Sequence, residues 1–479
     1  MTGPLLRPSG VNPARPPDRA THRPVGARAR RGAVAALAAA LLAITAAPAG
    51  ALAPPEVVIG APPADDPPGP EFPVKQDKGC LAAGVLPDSD LTRTPPPEEA
   101  LDLDRARALS RGAGVTVAVI DTGVQPQPRL PNLVGGGDYV TPGGDGLSDC
   151  DAHGTLVAGI IGAADDPADG LTGVAPDARI ISIRQHSGAF VPDGGSLDQA
   201  QRAAAEIRTL ARAITRAANQ GAGVITVSLP ICMPVEQQLD QAMLSAAIGH
   251  AVHVRGALIV AGAGNTGSTG CQEQNPAIDP ARPGDPRNWE KVRTIATPGW
   301  FAPTVLTVGF TTATGVPMPD SLAGPWVSVA APGTGVESLG PGGSGLVNGV
   351  GSPDKLVPVG GASFAAAYVS GVAALLRSRF PNETPAEIAA RLQASAHAPA
   401  RGIDNAVGAG LIDPVAALGY RSPPRPPAGL FRGTPFTMPV PPRPADPIPA
   451  VAATVVVLVA VLLGAGGAAG ASALRRRRR

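Results

Sequence analysis

Short apolar, β-branched runs alternate with alanine-rich segments along the middle of the chain. The strand-like runs are Val115–Ile120, Arg179–Ile183, Gly223–Val227, Ala257–Val260 and Thr304–Val308. The helix-like segments are Gly154–Gly162, Ser196–Asn219, Val235–Val254 and Phe364–Phe380. Strands that are apolar throughout and separated by helices indicate a parallel sheet covered on both faces. The pattern predicts an α/β domain whose functional residues gather at the carboxyl ends of the strands.

A basic segment followed by an apolar run opens the chain. Residues 1–32 carry seven arginines, and the 15 residues of Ala33–Ala47 carry no charge. The small residues Ala47-Pro48-Ala49 come next. This order is typical of a secretory signal, so we expect residues 1–49 to be a signal peptide. An uncleaved anchor or a buried helix is the alternative.

A second uncharged run lies near the other end. Ala450–Leu474 has 25 residues and no charge, and Arg475–Arg479 follow it directly. Such a run is long enough to cross about 30 Å of hydrocarbon. Because arginines mark the cytoplasmic side, the sequence predicts a transmembrane helix at 450–474 and a cytoplasmic tail at 475–479. The body of the chain then lies outside the cytoplasmic membrane. A buried soluble helix is the alternative.

The rest of the chain divides by composition. Residues 50–100 form a proline-rich extension, and residues 101–420 hold the strand and helix pattern. Residues 421–449 contain eleven prolines, a composition that favours an extended, semi-rigid spacer. A ligand for a proline-binding module is the other interpretation of this linker, but it has no cytoplasmic partner here.

Charge and cysteine content exclude several functions. The net charge is +1, so the chain lacks the basic excess of a nucleic-acid-binding protein. The four cysteines include no Cys-x-x-Cys pair, which argues against a zinc ribbon or a thioredoxin-like site. Outside the cytoplasm they are expected to form two disulfides, for which three pairings exist.

Four polar residues lie at strand ends or helix starts. Asp121 closes the first strand-like run, and His153 opens a helix of small residues. Asn265 lies in a glycine-rich turn, and Ser363 opens a long helix. Taken singly, each has a common structural interpretation: a loop cap, a packing residue, a turn former and a helix N-cap.

Together, these four residues predict a catalytic site. Ser363 would attack a carbonyl, His153 would take its proton, and Asp121 would hold the imidazole in the right tautomer. Asn265, with the backbone N–H of Ser363, would stabilise the oxyanion. The order Asp, His, Asn, Ser along the chain is that of subtilisin.

The local motifs resemble the subtilase family over roughly residues 112–415. They include VIDTGV around Asp121, HGTLVAG from His153 and GASFA around Ser363. The resemblance implies a subtilisin-like α/β fold and serine endopeptidase activity on proteins or peptides. It also implies that substrate binds as an added β-strand, with Ser228 and Leu229 in the substrate-binding site.

Further details resemble one subtilase group, the mycosins of bacterial type VII secretion systems. Asp149-Cys150-Asp151 precedes the histidine motif, and the helix after the serine continues as Tyr-Val-Ser-Gly from Tyr368. Mycosins share the signal, the proline-rich segments and the single C-terminal span. The resemblance implies type VII membrane-complex components as partners. It also implies that the extension wraps the domain, with the disulfides Cys80–Cys150 and Cys232–Cys271.

Two positions depart from the family pattern. Ala362 replaces the usual threonine before the nucleophile, and Ala367 replaces the usual proline after it. Neither change removes a catalytic group.

Subtilases often bind calcium, but an acidic solvated loop is the preferred interpretation of Asp165, Asp166 and Asp169, so no metal or cofactor is assigned.

Three functions therefore follow from the sequence. The first is a membrane-anchored endopeptidase that processes secreted substrates and supports a secretion complex. The second is a mainly structural component of that complex, and the third is a general tethered extracellular subtilase. Three aligned catalytic groups favour the first, and neighbouring type VII genes would separate it from the third.

Overall fold

A computed structural model describes most of the residues between the two uncharged segments. The described residues are 52–57, 59–237, 239–343 and 345–420, together with 458, 459 and 461. The predicted signal 1–49, the linker 421–449 and the tail 475–479 lie outside them, as does most of the predicted span 450–474. Within the described part, no helix is both long and apolar enough to cross a membrane.

Seven parallel strands form the central sheet, in the order β7-β6-β5-β4-β1-β3-β2. The strands are β1 (Thr116–Asp121), β2 (Leu133–Asp138), β3 (Arg179–Arg184), β4 (Val224–Val227), β5 (Leu258–Gly262), β6 (Leu306–Thr311) and β7 (Val327–Pro332). Every residue of β4 to β7 is buried, so both faces of the sheet are covered. The predicted α/β architecture is confirmed.

The apolar runs did not single out two of these strands. Strand β2 reads Leu-Val-Gly-Gly-Gly-Asp and carries a bulge between Gly135 and Gly137. Because glycine has no side chain to bury, a strand rich in it shows no apolar run. Strand β7 ends in Ala-Ala-Pro, which gives a similarly weak signal.

Four helices cover the sheet: α1 (His153–Gly162), α2 (Gln199–Asn219), α3 (Ala242–Gly249) and α4 (Ala362–Arg379). Helix α1 packs with α4, and α2 packs with α3. Asp198 caps α2 by accepting the backbone N–H of Gln201, whose side chain reaches back to the cap.

The prediction of one helix over Val235–Val254 is wrong in its first third. Helix α3 begins only at Ala242, and a π-helical turn follows it at His250–Val254. The carboxyl group of Asp240 accepts the N–H of Ala242, and the Gln241 side chain accepts hydrogen bonds from Thr297 and Trp300. These contacts involve the two residues directly before the start of the helix.

The proline-rich extension lies along the surface of the domain. Its strand Val74–Gln76 pairs with Phe190–Pro192, and Ala82–Gly84 pairs with Gly349–Ser352. Cys80 forms a disulfide with Cys150, and Cys232 forms one with Cys271, which is the pairing that the resemblance implied.

Short elements complete the described part. The remaining strands are Ile231–Pro234, Thr294–Thr297, Ser338–Leu339, Leu346–Val347 and Lys355–Pro358, and the remaining helices are Pro96–Ala100, Leu103–Leu109, Pro385–Ser395 and Pro414–Gly419, with 3-10 turns at Trp289–Lys291 and Pro341–Gly343.

Candidate active site

Asp121 and His153 meet at the carboxyl edge of the sheet. Asp121 is the last residue of β1 and is fully buried, and His153 is the first residue of α1. The Nδ1 atom of His153 lies 2.7 Å from the Oδ1 atom of Asp121. The carboxylate therefore orients the ring and leaves the Nε2 atom for a reacting group.

A second buried carboxylate, Asp149, binds the elements that carry this pair. Its Oδ1 atom accepts the hydroxyl of Thr122 at 2.9 Å. Its Oδ2 atom accepts the N–H and the hydroxyl of Thr155 at 2.9 and 2.6 Å. The N-cap of α1 is Ala152, which has no polar side chain, so Asp149 satisfies an N–H of the first turn in its place.

Sequence reasoning missed this role of Asp149. The carboxylate lies four residues before His153, and a threonine follows in each of the two motifs, as Thr122 and Thr155. Thr122 also accepts the N–H of Gly154 at 2.9 Å, which closes the network. Buried polar groups need partners, but Thr122 lies 27 residues before Asp149, so no local signal pairs the two.

Asp151 connects the histidine loop to the wall of the cleft. Its Oδ2 atom accepts the hydroxyl of Ser187 at 2.6 Å, and its Oδ1 atom accepts the N–H of Gly188 at 2.9 Å. A Cβ atom on Gly188 would come within 3.2 Å of that Oδ1 atom, so glycine permits the close approach. Asp149 thus binds the two catalytic motifs, Cys150 joins the loop to the extension, and Asp151 binds the wall of the cleft.

The charges of this cluster set the protonation of the pair. Burial alone would lower the pKa of His153, but Asp121, with Asp149 and Asp151, outweighs it and raises the pKa above 6.5. Burial also acts to raise the pKa of Asp121, but the charge and hydrogen bond of His153 outweigh it and lower that pKa. For Asp149, burial dominates and raises the pKa. The imidazolium form of His153 is therefore stabilised, as a general base requires.

Ser363 lies one residue into α4 and is 4% exposed. Its hydroxyl donates to the backbone carbonyl of Ser228 at 3.0 Å. The ring of the next residue, Phe364, lies 5.1 Å from the ring of His153, centroid to centroid. Because a hydroxyl has one hydrogen, the Ser363 side chain must turn from this carbonyl toward His153 before proton transfer.

The amide of Asn265 is oriented by the backbone before Ser363. Its Oδ1 atom accepts the N–H of Ala362 at 3.0 Å. Since only the oxygen of the amide can accept this bond, the NH₂ group is left for a ligand oxygen. Gly361 has φ of +136°, and a Cβ atom there would lie 3.0 Å from the same oxygen. Glycine at this position therefore permits the positive φ and leaves space for the amide of Asn265.

One cavity lies beside both Ser363 and Asn265. It has a volume of about 680 Å³ and is lined by Ser363, Asn265, Leu229 and the Cys232–Cys271 disulfide. Leu229, which the sequence assigned to substrate binding, thus lines the same cavity as Ser363. Ser228 is fully buried. Its backbone carbonyl is the group that Ser363 contacts.

The two departures from the family pattern are buried alanines. Ala362 contributes its backbone N–H to Asn265, a contact that needs no side chain. Ala367 lies inside α4.

In the acidic loop, Asp165 pairs with Arg111 and Asp169 pairs with Arg129. Among the described residues, no three His, Cys, Asp or Glu side chains are grouped so that they could hold a metal ion.

Comparison with known proteins identifies the family. A family model described as the subtilase family matches residues 112–410. Mycosin-1 of Mycolicibacterium smegmatis is 47% identical over 428 residues, which cover 88% of this chain and 94% of that protein. The chain is a subtilase of the mycosin group. Mycosin-1 of Mycobacterium tuberculosis is 50% identical, over 81% of this chain and 86% of that protein.

Solved structures agree with this assignment. The crystal structure of MycP1 from Mycobacterium smegmatis is 48% identical, with a TM-score of 0.75, and covers 79% of this chain and 98% of that chain. A chain in the structure of an intact ESX-5 inner membrane complex is 46% identical, with the same TM-score of 0.75. That match covers 88% of this chain and 100% of the other. The predicted subtilisin-like fold is confirmed.

Proposed function

We propose that this subtilase cleaves proteins with Ser363 as nucleophile, His153 as general base and acid, and Asp121 as the group that orients His153. The observation that carries the proposal is the 2.7 Å contact between His153 and Asp121. It lies at the sheet edge where Ser363 and Asn265 open into one cavity. This arrangement fits acyl transfer to a serine.

The reaction follows from these positions. The Oγ atom of Ser363 attacks the substrate carbonyl carbon while its proton moves to Nε2 of His153. The amide of Asn265 and the N–H of Ser363 stabilise the oxyanion. His153 then gives the proton to the leaving amine, and the C–N bond breaks to form an acyl-enzyme. Water, deprotonated by His153, then attacks the ester carbonyl carbon. The C–Oγ bond breaks, His153 returns the proton to Ser363, and the carboxylic acid product leaves.

Hydrolysis of internally quenched peptides tests this proposal. The full-length chain in detergent should cleave members of a mixed peptide library, and His153→Ala should lower the rate by about 10⁶-fold. His397→Ala is a matched control, because His397 lies far along the chain, is exposed, and pairs with Asp413. Equal rates for the wild type and His153→Ala would contradict the proposal.

A structural role within a secretion complex is the second candidate. It is favoured by the similarity to a chain of the ESX-5 inner membrane complex and to one of its periplasmic assembly. Partners would then be type VII membrane components. In a strain that lacks the chromosomal copy, Ser363→Ala should restore complex assembly as well as the wild type does. Loss of assembly in that variant alone would show that assembly of the complex requires catalysis.

We also propose that the domain is outside the cytoplasmic membrane, held by a single span at 450–474 with its C-terminus in the cytoplasm. Support comes from the uncharged run and the five arginines after it. A tag after Arg479 should resist protease added to spheroplasts, while the domain is digested. Digestion of the tag in intact spheroplasts would contradict this topology.

A further inference from the structure

One residue of the substrate cavity comes from the N-terminal extension. Lys78 lies outside the span 112–410 that matches the subtilase family, yet it lines the same cavity as Ser363. Its side chain is exposed. The extension therefore contributes to the cavity as well as to the surface of the domain.

Several bonds fix the backbone of Lys78 at this place. The N–H groups of Asp77 and Lys78 both donate to the carbonyl of Ala189, at 2.8 and 3.2 Å. The side chain of Gln76 donates to the carbonyl of Lys78 at 2.9 Å. Cys80, two residues on, is joined to Cys150 beside the histidine motif. Only the flexible side chain of Lys78 is left to move within the cavity.

The charged lining of the cavity has a positive excess. Besides Lys78 it includes Arg202, Glu206 and His186. Among the described lining residues the single carboxylate is that of Glu206, which lies 3.8 Å from the Nδ1 atom of His186. Burial raises the pKa of Glu206 against the opposing charges of His186 and Arg202. Within the described part of the chain, neither Lys78 nor Arg202 has a carboxylate at ion-pairing distance. By contrast, Lys75 pairs with Asp193 at 3.3 Å.

We propose that Lys78 is a specificity-determining residue, which selects protein substrates with an acidic side chain close to the scissile bond. This inference rests on the proposed function, because it describes the substrate of the same site. Arg202 adds to the positive field of the cavity. A carboxylate on the substrate would supply the partner that Lys78 lacks, and opposite charge across an interface gives selectivity between substrates.

Binding to the full-length Ser363→Ala protein tests the proposal without hydrolysis. The probes are pairs of octapeptides that differ only in Glu or Gln at one position, with each position taken in turn. At one or two adjacent positions the Glu peptide should bind about threefold to tenfold more tightly, and the difference should shrink at high salt.

Charge reversal makes the test specific. In the same background Lys78→Glu should abolish the preference for Glu and create one for Lys at that position. Lys75→Glu is the matched control, because it reverses a charge three residues away on the same extension. The proposal is overturned if no position prefers Glu, or if the two reversals change the preference equally.

The two proposals fail separately. Peptide hydrolysis that shows no dependence on acidic residues or on Lys78 would leave the serine mechanism intact and overturn this inference. A Glu preference that depends on Lys78, in a protein that hydrolyses no peptide, would support this inference and contradict the proposed catalysis.

Discussion

The two halves of the proposed active site are held in different ways. Asp121 and His153 depend on side chains, since Asp149 binds threonines from both of their motifs. Ser363 and Asn265 depend on the backbone: the Ser363 hydroxyl contacts a carbonyl, and the Asn265 amide accepts a backbone N–H.

This difference predicts that the two halves respond to different kinds of substitution. In the acid–base half, loss of a carboxylate changes charge and hydrogen bonding together. In the nucleophile half, the critical requirement is space for the backbone, and Gly361 provides it. Isosteric polar substitutions should therefore damage the first half, and a single added methyl group should damage the second.

The largest effect in the acid–base half is expected from Asp121→Asn. The amide cannot hold the tautomer of His153 that accepts a proton, so kcat should fall about 10⁴-fold. Asp138→Asn is the control, since Asp138 is also buried at the end of a strand but pairs with Arg184. Steady-state kinetics measures both. Similar losses in the two variants would mean that burial of a carboxylate matters, and orientation of His153 does not.

Gly361→Ala should lower kcat about 10²- to 10³-fold, as loss of an oxyanion donor does. The new Cβ atom would lie 3.0 and 3.2 Å from the amide atoms of Asn265, at a φ of +136° that alanine avoids. Asn265→Ala should have the same effect, and the double variant should add little. Gly284→Ala, where nothing lies within 4 Å of a Cβ atom, is the control. Additive losses in the double variant would show that Gly361 acts elsewhere.

Asp149→Ala should lower the free energy of unfolding by about 2–3 kcal/mol, because it leaves buried donors of Thr122 and Thr155 without their partner. Urea denaturation of the full-length chain measures this. Asp145→Ala, which removes an exposed turn carboxylate from the same loop, should cost far less. Equal losses would contradict the network described for Asp149.

The smallest expected effect is a pH shift in Asp151→Asn. The charge of Asp151 raises the pKa of His153, so its removal lowers that pKa. The proposed mechanism needs neutral His153, and the acid limb of kcat/KM should therefore move to lower pH. Asparagine keeps an oxygen that can accept the N–H of Gly188. The variant therefore removes the charge and retains this hydrogen bond. A pH profile that is unchanged, or that moves to higher pH, would contradict this assignment.

The sequence predicted the parallel sheet, which the structure confirms. It also predicted four central site residues, of which Asp121 and His153 are in direct contact. Asp121 was visible because it ends an apolar run, and His153 and Ser363 because each opens a helix of small residues. These signals are local, and parallel topology brings strand ends together.

What the sequence could not predict depends on contacts between distant segments. Asp149 looks like an ordinary loop carboxylate until Thr122 and Thr155 lie against it. In the sequence, Lys78 is one polar residue of a proline-rich extension. It lines the cavity because Val74–Gln76 pairs with Phe190–Pro192 in the fold. Strand β2 was missed because its glycines carry no apolar signal.

Covalent labelling of Ser363 tests the central claim most directly. A fluorophosphonate probe reacts with a serine that a neighbouring base activates. With the full-length chain in detergent, we expect the wild type to be labelled, with the adduct on Ser363 by mass spectrometry, and Ser363→Ala to remain unlabelled. Equal labelling of both proteins, or no labelling of a folded wild type, would contradict the account.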